Sequence, residues 1–226
     1  MIYLYSGTPG SGKSLHQADD IFWCLKFNKP VIANYNINTD LFKKKVPFIY
    51  IPNNELKPEK LVEISQEYFK NHKFKEGAIK LYIDECQILF NAREWNITGR
   101  DDWLVFFTQH RKYGYDIYLI AQFDRMIDRQ IRSLIEYEVI HRKVKNFGFW
   151  GGLLNLIAGG GLFIAITMWY PLKEKVGSDF FKYHSKYSRL YDTYATFNKK
   201  LEEKVDDSVE TCYNWFVPKI SQLFTE

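Results

Sequence analysis

The octapeptide Gly7-Thr8-Pro9-Gly10-Ser11-Gly12-Lys13-Ser14 constrains this chain more than any other feature. It satisfies the spacing G-x-x-x-x-G-K-[ST], and each residue type in it has a physical task. Glycines admit positive φ, so successive amide N–H groups can turn inward round a phosphate with no side chain in the way. A helix beginning at Lys13 aims its positive dipole end at the same anion. Lys13 is then placed to reach the β- and γ-phosphates, and the Ser14 hydroxyl to ligate Mg²⁺. The expected cradle comprises Gly7, Thr8, Pro9, Gly10, Ser11, Gly12, Lys13, Ser14 and Leu15. Such a loop needs a buried strand before it and a helix after it. Residues 2–5 are apolar, and 13–27 read as a helix stopped by Lys29-Pro30, because proline cannot donate the next backbone bond.

The rest of the chain repeats that alternation. Strands are expected at 31–33, 48–51, 78–83, 117–121 and 137–142. Between them fall helices at about 58–72, 101–112 and 126–134; Leu61, Ile64 and Tyr68 share one face of the first. Strands alternating with helices imply βαβ units and a mainly parallel sheet covered on both faces. The expectation is a three-layer α/β P-loop NTPase fold over residues 1–196 with a C-terminal hairpin or helical extension. A charged amphipathic helical tail is expected at 197–226, where Glu202, Glu203, Asp206, Asp207 and Glu210 recur. A length of 226 residues allows one large domain or two small ones.

Two acids complete the nucleotide site. The strand at 78–83 ends in Asp84-Glu85, and a carboxylate at the tip of a buried parallel strand lies where ligands of open α/β sheets gather. Asp84 is the expected Mg²⁺ partner through water. Glu85 is the expected base that polarises the attacking water. Gln122, at the tip of the next strand, offers a neutral amide to that water or to the γ-phosphate. Arg93, Arg111 and Arg132 are candidates for a guanidinium that stabilises charge on a neighbouring subunit's γ-phosphate, with Arg111 preferred. His110 is expected to be structural, and Asn34 to serve a turn.

Composition narrows the partners. A formal net charge of +4 is too weak a field to mark a nucleic-acid binder. Cys24, Cys86 and Cys212 are odd in number and in no metal-ligand spacing, which fits a reducing compartment. The start lacks a basic n-region followed by an apolar run, so a cytoplasmic working site is expected.

The order GTPGSGKS, VIANYNIN, LYIDECQILFNAREW, FFTQHRKYGYDIYLIAQ and SRLYDTY resembles the zonular occludens toxin family, over residues 1 to about 196. Those proteins are similar to the assembly ATPases of filamentous phages. The resemblance implies a Mg²⁺-dependent ATPase that works as a homo-oligomer at the cytoplasmic face of the inner membrane. Its implied partners are phage coat and export proteins and phage single-stranded DNA. Lys112 departs from a histidine common in the family, and only about thirty residues follow Asp192-Thr193 where members usually carry a span and an external region. A non-hydrolysing nucleotide-binding scaffold and a small-molecule kinase are the alternatives, although no arginine-rich lid insertion is visible.

Between Lys145 and Lys173 lie 27 residues without a charge. They are long enough to cross a bilayer, with Phe149-Trp150 and Trp169-Tyr170 as interfacial belts. Six glycines and Asn155 oppose that, and 162–170 reads equally well as a buried strand. Residues 147–170 are expected to form either a hairpin or membrane-facing flap of the domain, or a single span.

Overall fold

The computed structural model describes residues 1–93 and 99–190. The expected tail at 197–226, Cys212 and the Tyr191-Asp192-Thr193 end of the family motif lie outside the described residues.

Six parallel strands form the larger part of one eight-stranded sheet: β1 (Ile2–Ser6), β2 (Val31–Ala33), β3 (Phe48–Tyr50), β4 (Ile79–Ile83), β5 (Tyr115–Ile120) and β6 (Tyr137–Lys143). A hairpin of β7 (Leu162–Trp169) and β8 (Glu174–Lys182) extends the sheet antiparallel, giving the order β3-β2-β4-β5-β1-β6-β7-β8. The pleat sends alternate residues to opposite faces. Leu4, Leu81, Ile83 and Leu119 meet α2 (Pro58–Asn71) and α3 (Arg100–Gln109) through Leu61, Ile64, Phe106 and Phe107. Tyr5, Tyr82, Ile120 and Val139 meet α1 (Lys13–Lys26) through Ala18, Ile21, Phe22 and Leu25. Both faces are thus covered, which accounts for the near-continuous apolar runs of the parallel strands. The expected P-loop NTPase fold is the one observed.

Boundary differences have local causes. β5 begins at Tyr115 rather than 117, because the Tyr115 ring is buried and its hydroxyl donates to the Leu61 carbonyl at 2.6 Å. α3 stops at Gln109 rather than 112, since the N–H groups of Lys112, Tyr113 and Gly114 each turn back to the carbonyl three residues earlier. The uncharged stretch resolves into α5 (Gly148–Ile157), a turn at Gly159-Gly160-Gly161 and β7. α5 has ten residues and is about 15 Å long, half the hydrocarbon thickness of a bilayer. Among the described residues no helix is long and apolar enough to cross a membrane. The stretch therefore does not form the single helical span; its second half is a strand paired along its length with β6. Two short helices, α4 (Arg129–Ser133) and α6 (Ser185–Ser188), are the remaining α-helices among the described residues.

Candidate functional site

The strand tips converge on the loop between β1 and α1. The Gly7 N–H donates to the Gln122 carbonyl at 3.1 Å, tying the loop to the tip of β5. Beneath it, Ser6 Oγ donates to Glu138 Oε1 at 2.7 Å, and the Ser6 carbonyl accepts from His141 Nδ1 at 3.2 Å. Gly7 has φ +140°, and a Cβ there would stand 2.6 Å from the His141 carbonyl, so the first position admits nothing larger than glycine. Gly12, at φ +100°, precedes α1 with no side-chain cap, and the first turn of the helix carries no acid. Its leading N–H groups and positive dipole end are left for an anion.

Lys13 Nζ donates to the Gly7 carbonyl at 2.6 Å and to that of Thr8 at 3.4 Å, folding the side chain over the loop. Burial lowers the Lys13 ammonium's pKa, while the nearby carboxylates of Glu85 and Asp84 act to raise it. Both acids are therefore within electrostatic reach of the loop lysine. The ladder agrees: Ile83 and Leu4 both lie level with Leu119, so Asp84 stands beside the tip of β1, two strands across, or roughly 10 Å.

Asn34 fixes that tip. Its Oδ1 accepts from Asp84 N–H at 2.7 Å, and its Nδ2 donates to the Asp84 carbonyl at 2.9 Å and to Asn53 Oδ1 at 2.8 Å. The turn role expected for Asn34 is thus a two-point clamp on the backbone of an acid. Asp84 Oδ1 accepts from Glu85 N–H at 2.9 Å. Glu85 itself is exposed, sits at φ +46°, and accepts a short hydrogen bond from Gln87 Nε2. A non-glycine residue in the left-handed region is strained, and such residues cluster at functional sites.

The structure brings together Gly7–Ser14, Asp84, Glu85 and Gln122, and leaves Arg111 at the opposite end of the sheet. Arg111 pairs with Glu136 Oε2 at 2.5 Å, beside the Ile2 end of β1 and a full strand length from the loop. It does not reach the phosphate loop of its own chain. His110 is buried at the same end, its Nδ1–H donating to the Phe107 carbonyl at 2.6 Å, in the structural role expected. Arg93 is exposed on a cavity of about 820 Å³ above β4 and β5, and Arg132 Nη1 reaches the Asp124 carbonyl at 3.5 Å.

One pairing is invisible in the sequence. His16 Nδ1 and His141 Nε2 lie 2.8 Å apart directly under the loop, with Tyr5 stacked on His16. His141 Nδ1 faces a carbonyl and so carries a proton; its Nε2 accepts from His16 Nδ1–H. The tautomer follows from the partners. Burial, then the neighbouring His16, push the His141 pKa down to about 3. Because an unfolded histidine titrates near 6.5, the His141 contribution is complete above that pH and is lost as pH falls from 6.5 toward 3. Between pH 7 and pH 5 the loss is about 2 kcal/mol. Asp20 is raised by burial and acts in the opposite sense, but it does so in variant and parent alike. Denaturant unfolding of His141→Gln at the two pH values is expected to show a slope shallower by that amount; parallel slopes contradict it.

Oxygen ligands suit the expected metal. Ser14 and Asp84 are hard donors, and among the described residues no group of three or more His, Cys, Asp or Glu could hold an ion alone. Mg²⁺ characteristically takes one or two protein groups together with phosphate oxygens and water. Ser11 Oγ is buried with no hydrogen-bond partner among the described residues.

A glycine-lined loop between the first strand and its helix, with acids on a neighbouring strand tip, defines a domain of the P-loop NTPase fold. The family profile described as "Zonular occludens toxin (Zot)" matches residues 1–197. The chain belongs to the zonular occludens toxin family. Curated relatives include the Gene 1 protein of Enterobacteria phage M13, 31% identical over 172 residues covering 70% of this chain and 47% of that protein. The Gene 1 protein of Enterobacteria phage I2-2 is 30% identical, covering 71% and 46%. The chain spans about half the length of the curated relatives it matches. Among solved structures, the N-terminal domain of zonular occludens toxin from Neisseria meningitidis superposes with a TM-score of 0.51 at 19% identity, over 84% of this chain and 98% of that one. A second solved structure, an ATPase domain, gives 0.54 at 7% identity, over 84% of each chain. These two likenesses concern the fold.

Proposed function

We propose that this chain binds and hydrolyses ATP as an oligomeric motor of the filamentous-phage assembly type, docked at the cytoplasmic face of the membrane. The observation that carries the hydrolytic reading is that the loop bearing Lys13 and the strand tip bearing Asp84 and Glu85 lie at one end of the sheet, two strands apart. The loop amides and Lys13 hold the triphosphate. Ser14 and Asp84 hold Mg²⁺, which when bound neutralises charge on the phosphate oxygens. Glu85 takes the proton of the attacking water, and Gln122 orients that water beside the γ-phosphate. Arg111, held away from the site of its own chain, serves a neighbouring subunit in trans, with Arg93 and Arg132 as the other candidates. Phosphate release from ATP by the purified chain tests hydrolysis; release no faster than from buffer overturns it.

α5 supports the membrane reading. Phe149, Trp150, Leu156 and Ile157 are 80%, 72%, 75% and 74% exposed, a concentration of apolar surface unusual for a freely solvated helix. Arg142, Lys143 and Lys145 precede it, and a basic flank beside an apolar face suits an anionic lipid surface. Replacing Trp150 and Leu156 together by Glu is expected to cut co-sedimentation with phosphatidylglycerol vesicles about tenfold; undiminished sedimentation contradicts the docking. Coat and export proteins and single-stranded DNA are the partners this motor would engage.

A further inference from the structure

The order β4-β5-β1-β6 puts the two acids on one flank of the phosphate loop and the end of β6 on the other. A triphosphate whose terminal group faces Asp84 and Glu85 therefore directs its nucleoside toward β6. There a cleft of about 300 Å³ opens between Gly10 and Ser11 of the loop and Arg142, Lys143, Asn146 and Phe147 beyond it. That is the lower end of the size range of small-molecule sites.

The far wall of the cleft is firmly built. Val144 is buried, and its carbonyl accepts the Phe147 N–H at 3.0 Å. Gly151 of α5 approaches so closely that a Cβ there would stand 2.2 Å from the same carbonyl and 2.8 Å from Phe147 Cβ. The turn is thus clamped while the Phe147 ring stays 46% exposed. The Arg142 guanidinium carbon lies 5.8 Å from the centre of that ring. Lys143 Nζ reaches to 3.6 Å from where a Cβ on Gly10 would stand, over the phosphate loop. On the near wall is Ser11, whose buried hydroxyl has no partner among the described residues.

We propose that this cleft is the nucleoside subsite and that it selects adenine. It rests on the nucleotide reading above and extends it to residues that no phosphate-loop motif includes. The base stacks on Phe147 with the Arg142 guanidinium beside it, an arrangement in which both the ring face and the cation favour a flat π-system. Lys143 meets the α-phosphate. The Asn146 carboxamide presents one donor and one acceptor, which match the N7 and N6 edge of adenine; guanine offers two acceptors there.

Calorimetric titration of the full chain with ATP, GTP and inorganic tripolyphosphate, each with Mg²⁺, tests this. The parent chain is expected to prefer ATP to GTP. Phe147→Ala should weaken ATP about tenfold and leave tripolyphosphate within about twofold, because only the former carries a base. Phe147→Tyr keeps the ring and should hold ATP within about twofold of the parent. Asn146→Ala should bring ATP and GTP affinities together. Equal losses of ATP and tripolyphosphate in Phe147→Ala, or no loss of either, overturn the subsite and leave the phosphate loop's role standing. Equal affinity of the parent for ATP and GTP overturns the selection of adenine. A parent chain that binds neither ATP nor tripolyphosphate overturns the nucleotide reading itself.

Discussion

Glu85→Gln is expected to bind ATP with the parent's affinity and to turn it over about 10²- to 10⁴-fold more slowly, the range a positioned general base contributes. The amide has the shape of the carboxylate but cannot accept a proton. Glu85 suits the test because it is exposed, so its substitution by the isosteric amide should spare the fold. Its short hydrogen bond with Gln87 is the side-chain contact the substitution puts at risk. Gln87→Ala, as a control, should alter turnover far less. The measurement is steady-state phosphate release alongside equilibrium ATP binding. Unchanged turnover in Glu85→Gln removes the base assignment and returns weight to a nucleotide-binding scaffold.

Lys13→Ala acts earlier in the cycle. It deletes the charge that the loop holds over its own carbonyls, and loss of one partner from a desolvated charged contact costs enough to weaken ATP about a hundredfold or more. Arginine is not expected to restore affinity, since a planar fork does not replace a compact ammonium in a loop this tight. Folding should be preserved: the side chain is partly exposed and its hydrogen bonds are local. The two variants separate binding from chemistry, with Lys13→Ala losing both and Glu85→Gln losing chemistry alone.

Much of this architecture was legible because the relevant signals are local. A glycine loop followed by Lys-Ser, a proline stop after the helix and apolar runs ending in Asp-Glu each depend on neighbours in sequence. The order of strands does not. That β5 lies between β1 and β4, bringing Gln122 to the Gly7 N–H, follows from long-range pairing that no short window contains. The same holds for Asn34, whose clamp on Asp84 spans 50 positions, and for His16 and His141, which are 125 apart. The asparagine was visible as a strand-end residue, yet its partner was not. Arg111 shows the converse. Its type marked it as a candidate for a neighbouring subunit's phosphate, but which end of the sheet it occupies was not readable: α3 runs back along the sheet and delivers it to the end opposite the loop, beside Glu136. The uncharged stretch at 146–172 was ambiguous by composition: hydropathy matched a span and 162–170 a strand, and the three glycines, all at positive φ, turn the chain back into that strand.

The most direct measurement is release of γ-phosphate from ATP by the purified full chain, run side by side with Lys13→Ala, with and without Mg²⁺. Saturable release that needs the metal and disappears in Lys13→Ala is the predicted result. Release that is equal in the two proteins, or absent from both at every ATP concentration, contradicts it.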